Sequence, residues 1–198
     1  MIKFENLNKD KPYSVFKKKY DEALNAGQKN IEAISISSYN IHTNEVDSRY
    51  VNLKFIKNNK FIFFSNYNSP KGFAFNSHNQ IAALFYWSST NVQIRMKAKI
   101  SKTSNEYNQK YFFNRSEEKN ALAISSNQSK PIDSYSCVEE SYHKSLKNDD
   151  LKACPSYWGG YAFIPYYIEF WEGNDFRINK REVFQNIDAN WTYMILQP

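Results

Sequence analysis

The feature that most restricts the fold of this chain is a series of short segments in which apolar and polar residues alternate with a period of two. IEAISIS (31–37), SRYVNLKFI (48–56), KFIFFSN (60–66), QIAALFYW (80–87) and NVQIRMKAKIS (91–101) are rich in Ile, Val, Phe and Tyr and have strand length. Asn58-Asn59 supplies the tight turn of a hairpin between the second and third of them. After a helical interruption the pattern returns in YAFIPYYIEFWEG (161–173), DFRIN (175–179) and WTYMIL (191–196). Strict βαβ alternation is absent. The spacing predicts a mainly β fold, a closed or nearly closed antiparallel barrel with helices packed on its outside.

The helical segments are fewer. In SVFKKKYDEALNA (14–26), Phe16, Tyr20, Ala23 and Leu24 fall at helical spacing, and Gly27 marks a stop. KGFAFNSH is a short helix between the third and fourth strands. Two or three helices are expected between Ser104 and Lys147, with Ser104 and Asp133 as N-caps. Segments 127–134 and 148–157 are the expected mobile loops. The chain reads as one domain over 1–198, with an N-terminal helical segment (1–28) and a helical insertion (104–150). No internal repeat occurs, and neither G-x-G-x-x-G nor G-x-x-x-x-G-K-[ST] is present.

At 198 residues a single core can bury roughly 70% of the unfolded chain's surface, so no covalent staple is needed. The net charge of +6 suits an anionic partner: nucleic acid, a membrane surface or a phosphorylated small molecule. The longest basic run, Lys17-Lys18-Lys19, shares its helix with Asp21 and Glu22 and reads as a solvated face, and no nucleic-acid-binding module is recognisable. No apolar run approaches the ~18 residues of a membrane span. The N-terminus lacks a signal peptide's apolar region, so a cytoplasmic location is expected. Cys137 and Cys154 make no disulfide framework, and Cys137 sits at an apolar helix position, expected in the core. With His42, His78 and His143 far apart, no metal site is expected.

Several short motifs then occur in a telling order. RYVNLK (49–54) precedes the hairpin, and FSNYNSPKG (64–72) follows it. QIR stands at 93–95, and YF at 111–112 with Arg115 behind it. SNQS (126–129), WGGY (158–161) and IEFWEG (168–173) come next, and the series ends on the R-x-x-x-R pair Arg177 and Arg181. In order and spacing this series resembles the pyridoxine/pyridoxamine 5'-phosphate oxidase family, over residues ~13 to 197. The resemblance implies an FMN-binding split barrel that works as a homodimer, with the flavin at the subunit interface.

It also implies roles. Arg49, Lys71, Ser65, Gln93, Gln128, Ser129, Trp171 and Arg181 would seat FMN. Phe64 and the stretch Tyr50, Val51, Asn52, Leu53 and Lys54 would lie along it, the backbone of 50–53 meeting the ring. Lys54, Tyr111 and Arg115 would hold a phosphorylated pyridine substrate, and Arg177 would lie over the substrate ring as the catalytic residue. The residue types suit this chemistry. Arg engages two phosphate oxygens at once, Lys71 near a helix start adds charge where amide N–H groups converge, and Ser and Gln side chains hydrogen-bond ribityl and ring edges. Taken singly, each residue has another reading. Arg49 and Lys54 fall on opposite faces of a strand by parity, so one is free to be a solvated charge. Trp171 alone reads as core, Gln93 as surface, Tyr111 as a helix-packing aromatic, and Gly159-Gly160 as a structural turn.

The sequence departs from the family pattern at four positions in three places. Pro70 replaces an Arg beside the flavin phosphate, Lys119 and Asn120 replace a Ser-Gln pair, and Asn179 replaces a His. The expected activity is FMN-dependent oxidation of pyridoxine or pyridoxamine 5'-phosphate to pyridoxal 5'-phosphate, with O2 as final acceptor. The alternatives are a related flavoprotein with another substrate, or a non-catalytic protein that binds FMN or pyridoxal phosphate.

Overall fold

A computed structural model describes all 198 residues. The elements run β1 (Lys3–Glu5), α1 (Lys11–Asn25), β2 (Ala33–Asn40), β3 (Glu45–Asn52), β4 (Phe55–Lys57), β5 (Lys60–Asn66), α2 (Pro70–Ser77), β6 (Gln80–Trp87), β7 (Val92–Lys102), α3 (Asn105–Phe113), α4 (Glu117–Ser125), α5 (Tyr135–Asn148), β8 (Trp158–Glu172), β9 (Lys180–Ile187) and β10 (Asn190–Ile195). The strands form one sheet in the order β1-β4-β5-β8-β7-β6-β2-β3, with β9 added to β8 and β10 to β9. Only β1, beside β4, pairs parallel. No helix is long and apolar enough to cross a membrane.

The period-2 pattern is what closes the core. In β6, Ile81, Ala83, Phe85 and Trp87 point inward while their neighbours face out, and β7 does the same with Val92, Ile94, Met96, Ala98 and Ile100. Into this concavity α1 places Tyr13, Phe16, Tyr20 and Ala23. The Phe16 ring, fully buried, lies 5.3 Å from Phe61, 5.6 Å from Phe85 and 5.7 Å from Trp87. These rings are part of one continuous hydrophobic interior.

Strand β8 organises the sheet. Its first half pairs with β5 and its second half with β9, while β7 runs along its other side. At the changeover the β7–β8 register shifts, Lys97 facing Tyr167 and Ala98 facing Pro165, so that Tyr166 bulges out. Pro165, which has no N–H to give a ladder, falls at this irregularity, as a strand-interior proline must.

Several expectations need correction. The segment 48–56 is two strands. Leu53 turns fully into the core, its N–H donating to Glu32 O, while the next N–H, of Lys54, donates to Ile62 O. That change of partner breaks the strand and removes the parity relation between Arg49 and Lys54. Residues 175–179 form a loop, with Arg177 at φ 60°. The strand lies just beyond, at β9, where the polar sequence KREVFQNI hid it. The α5 N-cap is Ser134, whose Oγ accepts from Cys137 N at 3.3 Å, rather than Asp133. Cys137 is half-exposed, because α5 buries only Ser145. Gly159 and Gly160 lie within β8, where a Cβ would stand 2.2 Å from the Tyr67 hydroxyl and 2.5 Å from Thr103 Oγ1. Their role is structural, as expected, but it is close packing rather than a turn. The Asn58-Asn59 hairpin is present, with Asn58 at φ 54°.

Candidate functional site

A cleft of 620 Å³ opens where the edge strand β3, the strand β5 and the α3–α4 connection meet. Its lining includes Lys3, Lys54, Lys71, Arg115 and Lys119 and not one carboxylate. Cations gathered without counter-ions make an anion site. Lys71 shows the cost of this arrangement. It is 8% exposed, has no acidic partner within bonding distance, and donates only to Ser69 Oγ at 3.1 Å. Burial, helped by the Arg49 charge and opposed by Asp47, pushes its ammonium down to about 8. It stands one residue into α2, behind Ser69 as N-cap and Pro70, so backbone N–H groups of the first turn point the same way. A dianionic phosphate fits this donor set.

At the other end, Lys54, Arg115 and Lys119 come together. Burial holds Lys54 below the ordinary lysine range; Glu32 opposes the shift, and the Lys119 and Arg115 charges add to it. Burial likewise lowers Arg115. Arg115 is fixed from behind: its Nη1 donates to Asn120 Oδ1 at 3.1 Å, and fully buried Asn120 donates in turn to Phe112 O and Leu151 O. Arg115 also lies 4.5 Å over the Trp158 ring. Against Arg115 stands a stack of near-parallel rings. Phe64 and Tyr111 are 3.7 Å apart at 12°, and Phe64 and Trp158 5.3 Å apart at 12°. Burial raises the Tyr111 hydroxyl, which stays protonated and able to donate. Ser65 and Gln128 meet beside Phe64, the Ser65 hydroxyl donating to Gln128 Oε1 at 3.4 Å.

The structure thus brings Tyr50, Val51, Asn52, Lys54, Phe64, Ser65, Lys71, Tyr111, Arg115 and Gln128 to one cleft. It places the others elsewhere. Leu53 is core and does not line the cleft. Arg49 faces a neighbouring groove lined by Asp47 and Pro70. There its Nη1 donates to Ser38 Oγ at 2.7 Å and Ile36 O at 3.2 Å, while Nη2 pairs with Asp47. Ser129, at φ 69°, sits in the loop after Gln128 and does not line the cleft.

Gln93, Trp171 and Arg181 form a separate group. Gln93 is the ladder partner of Trp171, and Trp171 of Arg181, so the three make one row across β7, β8 and β9. The intervening Ile94, Phe170 and Ile168 face the core, which puts this row on the outer face. Arg177 lies in the exposed loop beyond its end. The side chain of Asn179 accepts from Asn174 N at 3.0 Å and closes that loop.

Four lining residues were not expected at the cleft. Trp158 was visible in the WGGY motif. Lys3 comes from β1, a three-residue strand too short to show a period. Asn114 and Ser116 belong to the α3–α4 turn, which only tertiary packing carries to the site.

Against known proteins, residues 158–198 match a family model described as the pyridoxine 5'-phosphate oxidase C-terminal dimerisation region. The chain is 31% identical to pyridoxine/pyridoxamine 5'-phosphate oxidase 1 of Hydrogenovibrio crunogenus, over 94% of this chain and 88% of that one. It is 33% identical to pyridoxine/pyridoxamine 5'-phosphate oxidase of Leptospira biflexa, over 94% and 89%. Among solved structures it resembles PhzG of Burkholderia lata, in complex with tetrahydrophenazine-1-carboxylic acid, with TM-score 0.89 and 22% identity over 95% and 93% of the two chains. It also resembles a pyridoxamine 5'-phosphate oxidase-related, FMN binding protein of Nostoc punctiforme, with TM-score 0.76 and 12% identity over 92% and 97%. The fold is the split barrel of these proteins.

Proposed function

We propose, because the chain belongs to the pyridoxine/pyridoxamine 5'-phosphate oxidase family, that it oxidises pyridoxine or pyridoxamine 5'-phosphate to pyridoxal 5'-phosphate with FMN as cofactor. The observation that carries this reading is the cleft, which gathers five cations and a flat aromatic stack and has no carboxylate in its lining. Two phosphates and two planar rings are what the reaction must hold.

In this reading Lys71 and the first turn of α2 take the flavin phosphate, joined by Arg49 once it yields its contact with Asp47. The backbone edge of residues 50–53 runs along the ring, with Phe64, Ser65 and Gln128 beside it and Ser129 at the loop that carries Gln128. Lys54, Arg115 and Lys119 grip the substrate phosphate, and the Tyr111 hydroxyl donates to it. FMN held there would supply a two-electron acceptor for the carbon that bears the amine or hydroxyl, with O2 as the final acceptor. The chain's own part is orientation, charge and exclusion of water.

Gln93, Trp171 and Arg181 face away from the cleft of their own chain, so they serve a flavin only across a homodimer. The match of residues 158–198 to a dimerisation region supports that arrangement. A second copy would bring this row over the cleft, and Arg177, in the adjoining loop, over the substrate ring.

Anaerobic titration of the FMN-loaded protein with pyridoxine 5'-phosphate tests the reading. Bleaching of the flavin absorbance, reversed by air, is the expected result. FMN binding without bleaching by either 5'-phosphate would point to a different planar anion or to a binding role. The second reading rests on Lys119 and Asn179, which change the substrate end and the covering loop. Failure to bind FMN would remove the cofactor assignment.

A further inference from the structure

On the outer face of the sheet β8 carries a glutamate that is buried. Glu169 is 2% exposed, although Tyr167 and Trp171, its neighbours on that face, are only partly covered. A carboxylate in such a place is costly unless both oxygens are satisfied, and here both are. Oε1 accepts from Arg181 Nε at 2.9 Å and lies 2.8 Å from Arg181 Nη2, a two-pronged contact. Oε2 accepts from the Tyr167 hydroxyl at 2.8 Å and from Arg95 Nη2. These hydrogen bonds outweigh burial and hold the carboxyl below its ordinary range. Arg181 is tied on its remaining side as well. Its Nη1 donates to Gln197 O at 2.9 Å, and its backbone oxygen accepts from Leu196 N at 3.0 Å.

We infer that Glu169 is a positioning residue: it clamps the Arg181 guanidinium in a single orientation beside Trp171 and Gln93, so that the row is preformed before a flavin arrives. The inference rests on the reading of Arg181 as a flavin contact. Two guanidinium groups against one carboxylate leave the cluster positive, so Arg181 keeps attraction for an anion or a carbonyl oxygen while losing its freedom to turn away. Without Glu169, Arg181 and Arg95 would be like charges on one face with nothing between them, and each would swing into solvent. A preformed donor spares the ligand the cost of ordering a long side chain.

The test is a flavin-fluorescence titration of the full-length protein, as wild type, Glu169→Gln, Arg181→Gln and the double variant. Glu169→Gln is expected to weaken FMN binding by about tenfold. In the Arg181→Gln background the same change should add less than about twofold, because residues acting as one unit do not add. An equal loss in both backgrounds would mean that Glu169 merely supports the fold, and the inference is overturned. Weakening by Arg181→Gln but not by Glu169→Gln overturns the inference alone. No effect of Arg181→Gln overturns both it and the flavin role of Arg181. If Glu169→Gln does not fold, Glu169→Asp goes through the same cycle. It keeps the charge but is too short to meet both guanidinium groups, and the same outcomes decide.

Discussion

The cleft and the outer face of β7–β9 are both rich in cations, but they treat them in opposite ways. In the cleft Lys54, Lys71, Arg115 and Lys119 have no carboxylate among the lining residues, and burial pushes Lys54, Lys71 and Arg115 below their ordinary ranges. On the outer face Arg95 and Arg181 close around Glu169 and are already paired. The first region is destabilised until an anion enters. The second is organised in advance: its two guanidinium groups share one carboxylate, so a single net positive charge is held in a fixed place. A cluster lacking its counter-ions belongs where ligands supply them, whereas a paired one belongs where a surface must keep its shape.

The contrast can be broken at several points. The largest effect is expected from Arg115→Gln, which removes a guanidinium held by Asn120 and stacked on Trp158. Loss of one partner from a desolvated charge pair costs about 3 kcal/mol, so the KM for a phosphorylated substrate should rise roughly 100-fold while FMN affinity stays within about twofold. An unchanged KM would move the substrate phosphate away from this end.

Lys71→Met comes next, and it separates the two regions most cleanly. FMN affinity should fall by roughly 10- to 100-fold, the value of a charge-assisted contact, yet the flavin-free protein should melt higher, because an unpaired buried ammonium is gone. A lower melting temperature would show that Lys71 is satisfied in the unliganded fold. Replacing Arg181 should instead lower both affinity and stability, since it strands Glu169.

Raising the pH asks the same of Lys71 without a mutation. Its folded value of about 8 lies below that of an unfolded lysine, near 10.4. Between those values the unfolded chain holds a proton that the folded one has released, so this group makes the flavin-free protein more stable as pH rises through the window. FMN affinity should fall over the same range, as the phosphate loses a charged partner. Calorimetry and fluorescence titration from pH 7 to 10 check both signs, and parallel trends would contradict the assignment.

The smallest effect is expected at Asp47, which is exposed but pairs with Arg49 and lies near Lys71. Asp47→Ser frees Arg49 and removes a like charge from a phosphate. It should tighten FMN binding by about 2- to 5-fold, the scale of a surface ion pair. Weaker binding would mean that Asp47 holds Arg49 in its productive pose.

How much of this was legible in the sequence depends on where each residue sits. Strands β5 and β6 were bounded to the residue, because alternation is strong where one face is buried. The segment 48–56 was misread as one strand, because its break comes from two backbone N–H groups choosing different partners, which no side-chain pattern records. Strand β9 was missed since its sequence is mostly polar on both faces, and β1 since three residues carry no period. The candidate cleft residues were read from an ordered set of motifs. Their division into a cleft and a separate outer row was not visible there.

Read along the chain, local period and residue type are enough for a mainly β fold with a helical insertion and an excess of cations. Only the tertiary structure decided which cations stand unpaired and which are clasped. That choice depends on strand order and register, which set Glu169 between Arg95 and Arg181 and left no carboxylate in the lining of the cleft that holds Lys54, Lys71 and Arg115. Pairing of charges is a matter of distance in space, and the order of residues along a chain does not fix it.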